Sequence, residues 1–376
     1  MSLPRVALIC PGLGRERRGY ERITADLHHA LRDEPMDVWL FKGAGPTGPK
    51  VIVPRSFARD GWVLMNLHLH RLIGRTRYHM ECLTFALTLA RHLRRQRFDV
   101  VFTYDPPMLK PLFLLRRLLG LRYRILFAHG GAFPFPYWPE ADVVLHCSPL
   151  SYQEDVERGV SRDKFSLLPI GIWPERFETP RTRSELRAEA GIGDDTLVIL
   201  SVAALNRSQK RVHHLIEEVA KVEGDVLLWI DGSPNFAGDP TLVTLAKARL
   251  GSRCRITYSP SERVGELLAM ADVMALASVS EGFGLAIVEA LCSGTPVITH
   301  DSPHFTWLLD EPEFRVDMTA QGALAGRLRE VQRAPAAFRA RLDREKYRRR
   351  YGWPVLKSSF ARLLTCVAEG ESPHDD

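Results

Sequence analysis

Short runs of β-branched and apolar residues alternate along this chain with longer stretches in which apolar side chains return every three or four positions. The short runs predict strands at Arg5–Cys10, Asp37–Leu40, Val100–Tyr104, Arg124–Phe127, Val143–Cys147 and Phe165–Pro169. A second series is predicted at Leu197–Ala203, Val226–Ile230, Cys254–Tyr258, Val273–Leu276 and Pro296–Thr299. Amphipathic helical patterns lie between them, among them Glu21–Arg32, Met80–Gln96, His213–Val222 and Ser261–Met270. Strands that are apolar almost throughout, alternating with helices, imply parallel sheets covered on both faces. The series occurs twice, which predicts two doubly wound α/β domains with a break near Pro169–Pro180. A length of 376 residues agrees with that division, because single cores stop growing near ~250–300 residues. Ligands of such sheets bind beyond the carboxyl ends of the strands, so two such domains facing each other would frame a cleft there.

Composition narrows the class. With 45% hydrophobic and 26% charged residues, the chain has neither the bias of a fibre nor that of a disordered protein. The cysteines Cys10, Cys82, Cys147, Cys254, Cys292 and Cys366 contain no CxxC pair. They read as small core residues in a reducing, cytoplasmic setting rather than as a disulfide or zinc framework. The apolar stretch Pro111–Phe127 is broken by Arg116, Arg117, Arg122 and Arg124, and no segment reaches the ~20 apolar residues of a spanning helix. The net charge of +6 is unevenly placed. Residues 1–170 hold 25 Lys plus Arg against 16 Asp plus Glu, a local +9, and the remainder carries −3.

Two glycine-bearing turns are candidates for chemistry. The first predicted strand ends in Pro11-Gly12-Leu13-Gly14, with Gly19 opening the next helix. The spacing from Gly14 to Gly19 is too long for a dinucleotide fingerprint, and no acid is placed to hold a ribose. What the segment offers is a helix N-terminus beside Arg15, Arg17, Arg18 and Arg22, which favours an anion. The second turn, Ser280-Glu281-Gly282-Phe283-Gly284-Leu285, leads into an apolar helix containing Glu289. An acid in such company needs a partner, and Glu281 and Glu289 are spaced to serve one ligand at a helix N-terminus.

The two glutamates with seven residues between them, followed by Ala290-Leu291-Cys292-Ser293-Gly294-Thr295-Pro296-Val297-Ile298, resemble the retaining family-four glycosyltransferases of GT-B fold. The likeness extends from Arg5 to about Phe360. It includes Ala141-Asp142-Val143-Val144, Leu168-Pro169-Ile170-Gly171-Ile172, Ile230-Asp231-Gly232-Ser233-Pro234 and Ala271-Asp272-Val273. The resemblance implies an α/β GT-B architecture of two Rossmann-like, doubly wound domains facing a cleft. The acceptor-side domain would be residues 1–172 with a returning helix at 353–370, and the donor domain 173–352. It implies a nucleotide diphosphate-sugar as co-substrate, no other cofactor, no metal, and a hydroxyl acceptor. By the same resemblance, Glu281, Lys210 and His129 are the catalytic candidates: Glu281 on hydroxyls of the transferred sugar, Lys210 on the diphosphate and His129 near the anomeric centre. The donor-binding candidates are Gly19, Arg207, Arg211, Tyr258, Phe283, Gly284, Leu285 and Glu289, with Glu289 on the ribose and Tyr258 near the base. Same-face attack assisted by the departing phosphate would give retention.

The chain departs from the family pattern in places. The family's phosphate arginine is replaced by Leu205 or Ala204, leaving Arg207 or Arg18 as substitutes. Ile170 and Trp173 replace polar residues around the interdomain glycine, and His300, Asp301 and His304 follow the last strand. The missing arginine keeps open a catalytically silent sugar-binding or scaffold subunit, and the scaffold alone also suits a nucleotide-sugar epimerase. In the basic half, Arg91, Arg94, Arg95, Arg97, Lys110, Arg116, Arg117, Arg122 and Arg124 lie among leucines and phenylalanines. This predicts docking on the anionic inner face of a membrane and a lipid-linked or cell-envelope acceptor. No nucleic-acid-binding motif accompanies the charge.

Overall fold

The structure is a computed structural model, and it describes residues 3–16, 19–68, 71, 75–130, 138–232 and 239–372. The chain forms two compact units, one comprising residues 1–171 and 353–376 and the other residues 172–352.

The first unit is built on a seven-stranded parallel sheet. Its strands are β1 (Arg5–Cys10), β2 (Asp37–Lys42), β3 (Val51–Ile52), β4 (Val100–Thr103), β5 (Arg124–His129), β6 (Val143–His146) and β7 (Phe165–Leu167), in the order β3-β2-β1-β4-β5-β6-β7. The central strands are buried along their length, as expected when helices cover both faces. One side of the sheet carries a core of Phe41, Phe85, Leu89, Val101, Leu112, Ile125 and Phe127, supplied by the strands and by helices Arg77–Gln96 and Pro106–Leu118. Thr76 caps the first of these helices by accepting from the His79 N–H. The second begins with Pro106-Pro107, where missing N–H groups cost nothing. Pro111 inside it forfeits one backbone bond, so a helix forms where the sequence pattern shows only an interrupted apolar run. The helix Trp353–Glu369 returns to this unit and packs beside β4 and β5. Its Trp353 is fully buried against Gly171, where an added Cβ would lie 2.5 Å from the indole.

The second unit has a six-stranded parallel sheet of order β10-β9-β8-β11-β12-β13. The strands are β8 (Leu197–Val202), β9 (Val226–Asp231), β10 (Cys254–Thr257), β11 (Val273–Ala275), β12 (Val297–His300) and β13 (Arg315–Val316). A capping box of Thr182 and Glu185 starts the helix Arg183–Glu189. That helix buries Arg187, whose guanidinium donates to the carbonyls of Met270, Asp194 and Thr196 and pairs with Asp272 at 2.8 Å. The two-residue edge strands β3 and β13 carry no pattern from which the sequence could reveal them.

Candidate active site

The strand order of the second sheet reverses at β8, which has β9 on one side and β11 on the other. The loops leaving the carboxyl ends of β8 and β11 therefore diverge and open a crevice, where sheets of this kind bind ligands. Lys210 comes from the first of these loops and Glu281 from the second. Their side chains meet at 2.6 Å between Nζ and Oε1, with the lysine side chain 21% and the glutamate 6% exposed. Gln209 Nε2 donates to the other Glu281 oxygen at 3.4 Å.

The lysine loop is fixed by Asn206, which no sequence motif singles out, and by Arg211, a residue expected to bind the donor. Asn206 Oδ1 accepts from the backbone N–H groups of Gln209 and Lys210 at 3.1 and 2.8 Å. Arg211 adopts a left-handed conformation, φ 47°, and its guanidinium donates to the carbonyls of Met318 at 2.8 Å and Ala277 at 3.4 Å. Arg211 is thus a brace between the loop and the end of β11. Arg207, the substitute expected for the absent phosphate arginine, is held by Asp239 at 2.6 Å and by Thr241 at 3.1 Å. Leu205, at the position of the missing arginine, is buried.

The acidic loop turns into its helix through Gly284, whose φ of 93° puts it where a side chain would be strained. The helix runs Leu285–Ser293, and Glu289 lies one turn in, 4% exposed. Phe283 faces inward, its ring against Trp307 and Tyr351, which leaves its backbone to face the turn. Behind it His304 is buried, and burial pushes its pKa down against the opposing influence of the Phe283 backbone and the Glu281 carboxylate. His300 instead accepts from the Met318 N–H.

On the other side of the crevice β8 and β9 are pinched together. A Cβ on Gly232 would lie 1.8 Å from the Ala203 carbonyl oxygen. Asp231 accepts from Thr257 Oγ1 at 2.7 Å and from the Ser259 N–H at 3.0 Å, which fixes the loop presenting Tyr258, 54% exposed. The second unit thus collects Lys210, Glu281, Phe283, Gly284, Leu285, Glu289 and Tyr258 along the carboxyl ends of its strands.

The remaining candidates belong to the first unit. Gly19 opens the helix Gly19–Ala30 and is exposed. Arg15 is turned inward onto Glu81 at 2.9 Å, which removes it from the anion-binding role expected of it. His129 ends β5 and is paired in register with His146 on β6, so the rings meet edge to face at 5.5 Å. Burial lowers the His129 pKa to about 4 and that of His146 to about 3, so both are neutral at pH 7. Arg17, Arg18, Gly131, Ser233, Pro234 and the last four residues of the tail lie outside the described residues. Among the described residues no group of three His, Cys, Asp or Glu side chains could hold a metal ion.

Residues 182–349 match the family model of the glycosyl transferases group 1. The match takes in nearly all of the second unit, residues 172–352. The chain is also 27% identical to the N-acetyl-alpha-D-glucosaminyl L-malate synthase of Bacillus anthracis over 233 residues, 57% of this chain and 60% of that one. The chain thus spans less than two thirds of that relative. Among solved structures, the sucrose-phosphate synthase of Thermosynechococcus elongatus superposes with a TM-score of 0.78 at 18% identity, covering 98% of this chain and all of its own. HepE of Anabaena, in complex with UDP and glucose, gives 0.74 at 16%, covering 96% and 99%. Identities this low speak to fold, and the fold is GT-B: two parallel-sheet Rossmann-like domains. The stretch that matches the family model contains both Lys210 and Glu281.

Proposed function

We propose that the chain is a retaining, metal-independent glycosyltransferase that moves a sugar from a nucleotide diphosphate-sugar to a hydroxyl acceptor. The observation that carries this reading is the Lys210–Glu281 pair at the switch point of the second sheet, beside the N-terminus of the helix Leu285–Ser293. In this reading the diphosphate lies over that helix end, where backbone N–H groups and the dipole favour negative charge. Lys210 then stabilises the charge that grows on the β-phosphate as its bond to the anomeric carbon breaks. Glu281 holds hydroxyls of the sugar, Glu289 the ribose, and Tyr258 lies toward the base. The acceptor oxygen bonds to the anomeric carbon on the face that the phosphate leaves, and its proton passes to a phosphate oxygen. No dedicated protein base is required. His129, being neutral, would serve as a hydrogen-bonding group and not as a cation. The UDP and glucose bound by HepE and the excess of positive charge in the first unit make a UDP-sugar and a lipid-linked acceptor at the inner face of a membrane the narrower form of the proposal.

Calorimetric titration with UDP, GDP, ADP and dTDP, followed by donor-hydrolysis assays, tests it. Binding of one nucleotide, with release of sugar that Lys210→Ala and Glu281→Ala abolish, is the expected result. Undiminished turnover in both variants would sink it. A second reading is favoured by one observation: Arg207 is committed to Asp239, so the pair of phosphate cations usual in the family is incomplete among the described residues. A catalytically silent sugar-binding subunit would bind nucleotide-sugar tightly and never hydrolyse it.

A further inference from the structure

On the carboxyl-end side of its sheet, in the segment that leaves β3, the first unit carries an apolar surface that its own packing does not use. Between β3 and the helix Arg77–Gln96, the side chains of Phe57, Trp62, Met65 and Leu67 are 42%, 70%, 46% and 55% exposed. The short helix Trp62–Asn66 turns Leu64 into the core and leaves Trp62 and Met65 outside. Large apolar side chains clustered in this way mark an interaction surface. Its charge is of one sign. From Gly61 to Met80 the chain has Arg71, Arg75 and Arg77 and no Asp or Glu. All three arginines are exposed, and the Arg77 guanidinium touches the Met65 sulfur, so cation and apolar surface are contiguous. The carboxylates nearby are already engaged: Glu81 by Arg15 and Arg59, and Glu16 by Arg59. Asp60, exposed, precedes the stretch in sequence, and Glu81 follows it.

We propose that this patch docks on the surface of an anionic lipid bilayer. Trp62, Met65 and Leu67 would enter the headgroup boundary, and Arg71, Arg75 and Arg77 would lie against lipid phosphates. An indole is suited to that boundary because its body is apolar and its N–H is polar. A second copy of the chain fits less well, since a symmetric contact would set the arginines against themselves. The inference goes beyond sugar transfer and holds whether or not the chain performs it. The patch is separate in sequence from the basic segment Arg91–Arg124. There Arg116 is paired with Asp142, although Leu114 and Leu118 are exposed and serve as the internal control.

The test is co-sedimentation of the full chain with vesicles of phosphatidylcholine alone and of an equal mixture with phosphatidylglycerol, across a salt series. Binding to the mixed vesicles that weakens with salt is expected, because each cation near such a surface adds roughly fivefold. Trp62→Ser with Leu67→Ser should reduce binding at least about tenfold, and Arg75→Glu with Arg77→Glu should abolish it at moderate salt. Both pairs are at exposed sites, so unchanged thermal unfolding verifies the fold. Leu114→Ser with Leu118→Ser should bind as the parent does. Equal binding to both vesicle types, no binding at all, or loss confined to the Leu114 and Leu118 variant would overturn the proposal. So would light scattering that shows a dimer lost in the Trp62 and Leu67 variant without any vesicle binding.

Discussion

Replacing Lys210 by alanine should cost more stability than replacing Glu281, although the two residues make the same contact. The reason is their unequal burial. The Glu281 side chain is 6% exposed, and without the lysine its hydrogen-bond donor among the described residues is Gln209 at 3.4 Å. Stranding one member of a fully buried pair costs about 3–5 kcal/mol. Lys210 is 21% exposed, so water can enter its place, which brings the expected loss to about 1–3 kcal/mol. Glu281→Ala leaves a lysine free to turn into water and should cost less than about 1 kcal/mol. Glu281→Gln retains an acceptor and should cost least. Urea unfolding midpoints at fixed pH measure the ranking. With a donor identified, Lys210→Ala should also lower turnover by about 10²–10³, the usual effect of removing one group that stabilises developing negative charge. Equal destabilisation by the two alanine variants, or full turnover with Lys210→Ala, would refute the reasoning.

Three further outcomes follow from the geometry. Arg207→Ala should leave nucleotide affinity within about twofold of the parent, because its guanidinium is engaged by Asp239 and Thr241 and surface pairs contribute little; a tenfold loss in calorimetry would show that it leaves Asp239 for the phosphate. Gly232→Ala should destabilise by about 3 kcal/mol, the upper part of the range for overpacking, since its Cβ would lie 1.8 Å from the Ala203 carbonyl oxygen; an unchanged unfolding midpoint would contradict that contact. Acid should weaken the first unit, where burial depresses the pKa of His28 and His129 to about 4 and of His146 to about 3. Below about pH 6.5 the unfolded chain takes up these protons and the folded chain does not until near pH 4, so stability present above that window is lost as pH falls, by up to about 1.4 kcal/mol per unit per histidine. Denaturant midpoints that stay level between about pH 7 and about pH 4.5 would exclude this linkage.

The strands are legible in the sequence because a strand buried on both faces must be apolar throughout, as Val-Ala-Leu-Ile and Leu-Val-Ile-Leu are. Their ends move by a residue or two, and the edge strands Val51–Ile52 and Arg315–Val316, two half-buried residues each, are too short to leave a pattern. The acidic turn is legible because Gly284 and the buried Glu289 break local rules together. Its partner is not: Lys210 lies 71 residues away in sequence, and only the strand order sets their loops side by side. Arg211 shows the limit most clearly. Beside Lys210 it reads as another cation, yet its left-handed backbone and two carbonyl acceptors make it part of the scaffold. Arginines look alike in sequence whether they face solvent, a carboxylate or a carbonyl.

The return of the chain to its first unit has a consequence for how the molecule is made. Residues 1–171 are synthesised first, yet their unit is incomplete until the helix Trp353–Glu369 arrives and Trp353 settles on Gly171. Alone, that docking would have to close a loop of 181 residues. The second unit removes most of that entropic cost when it folds, because Ile172 and Gly352 form an isolated parallel bridge and the Ile172 N–H donates to the Tyr351 carbonyl at 2.9 Å. Folding of the inserted unit therefore brings together the two ends on which completion of the first depends. Damage confined to residues 172–352 should then be felt in the unit that precedes them on the ribosome.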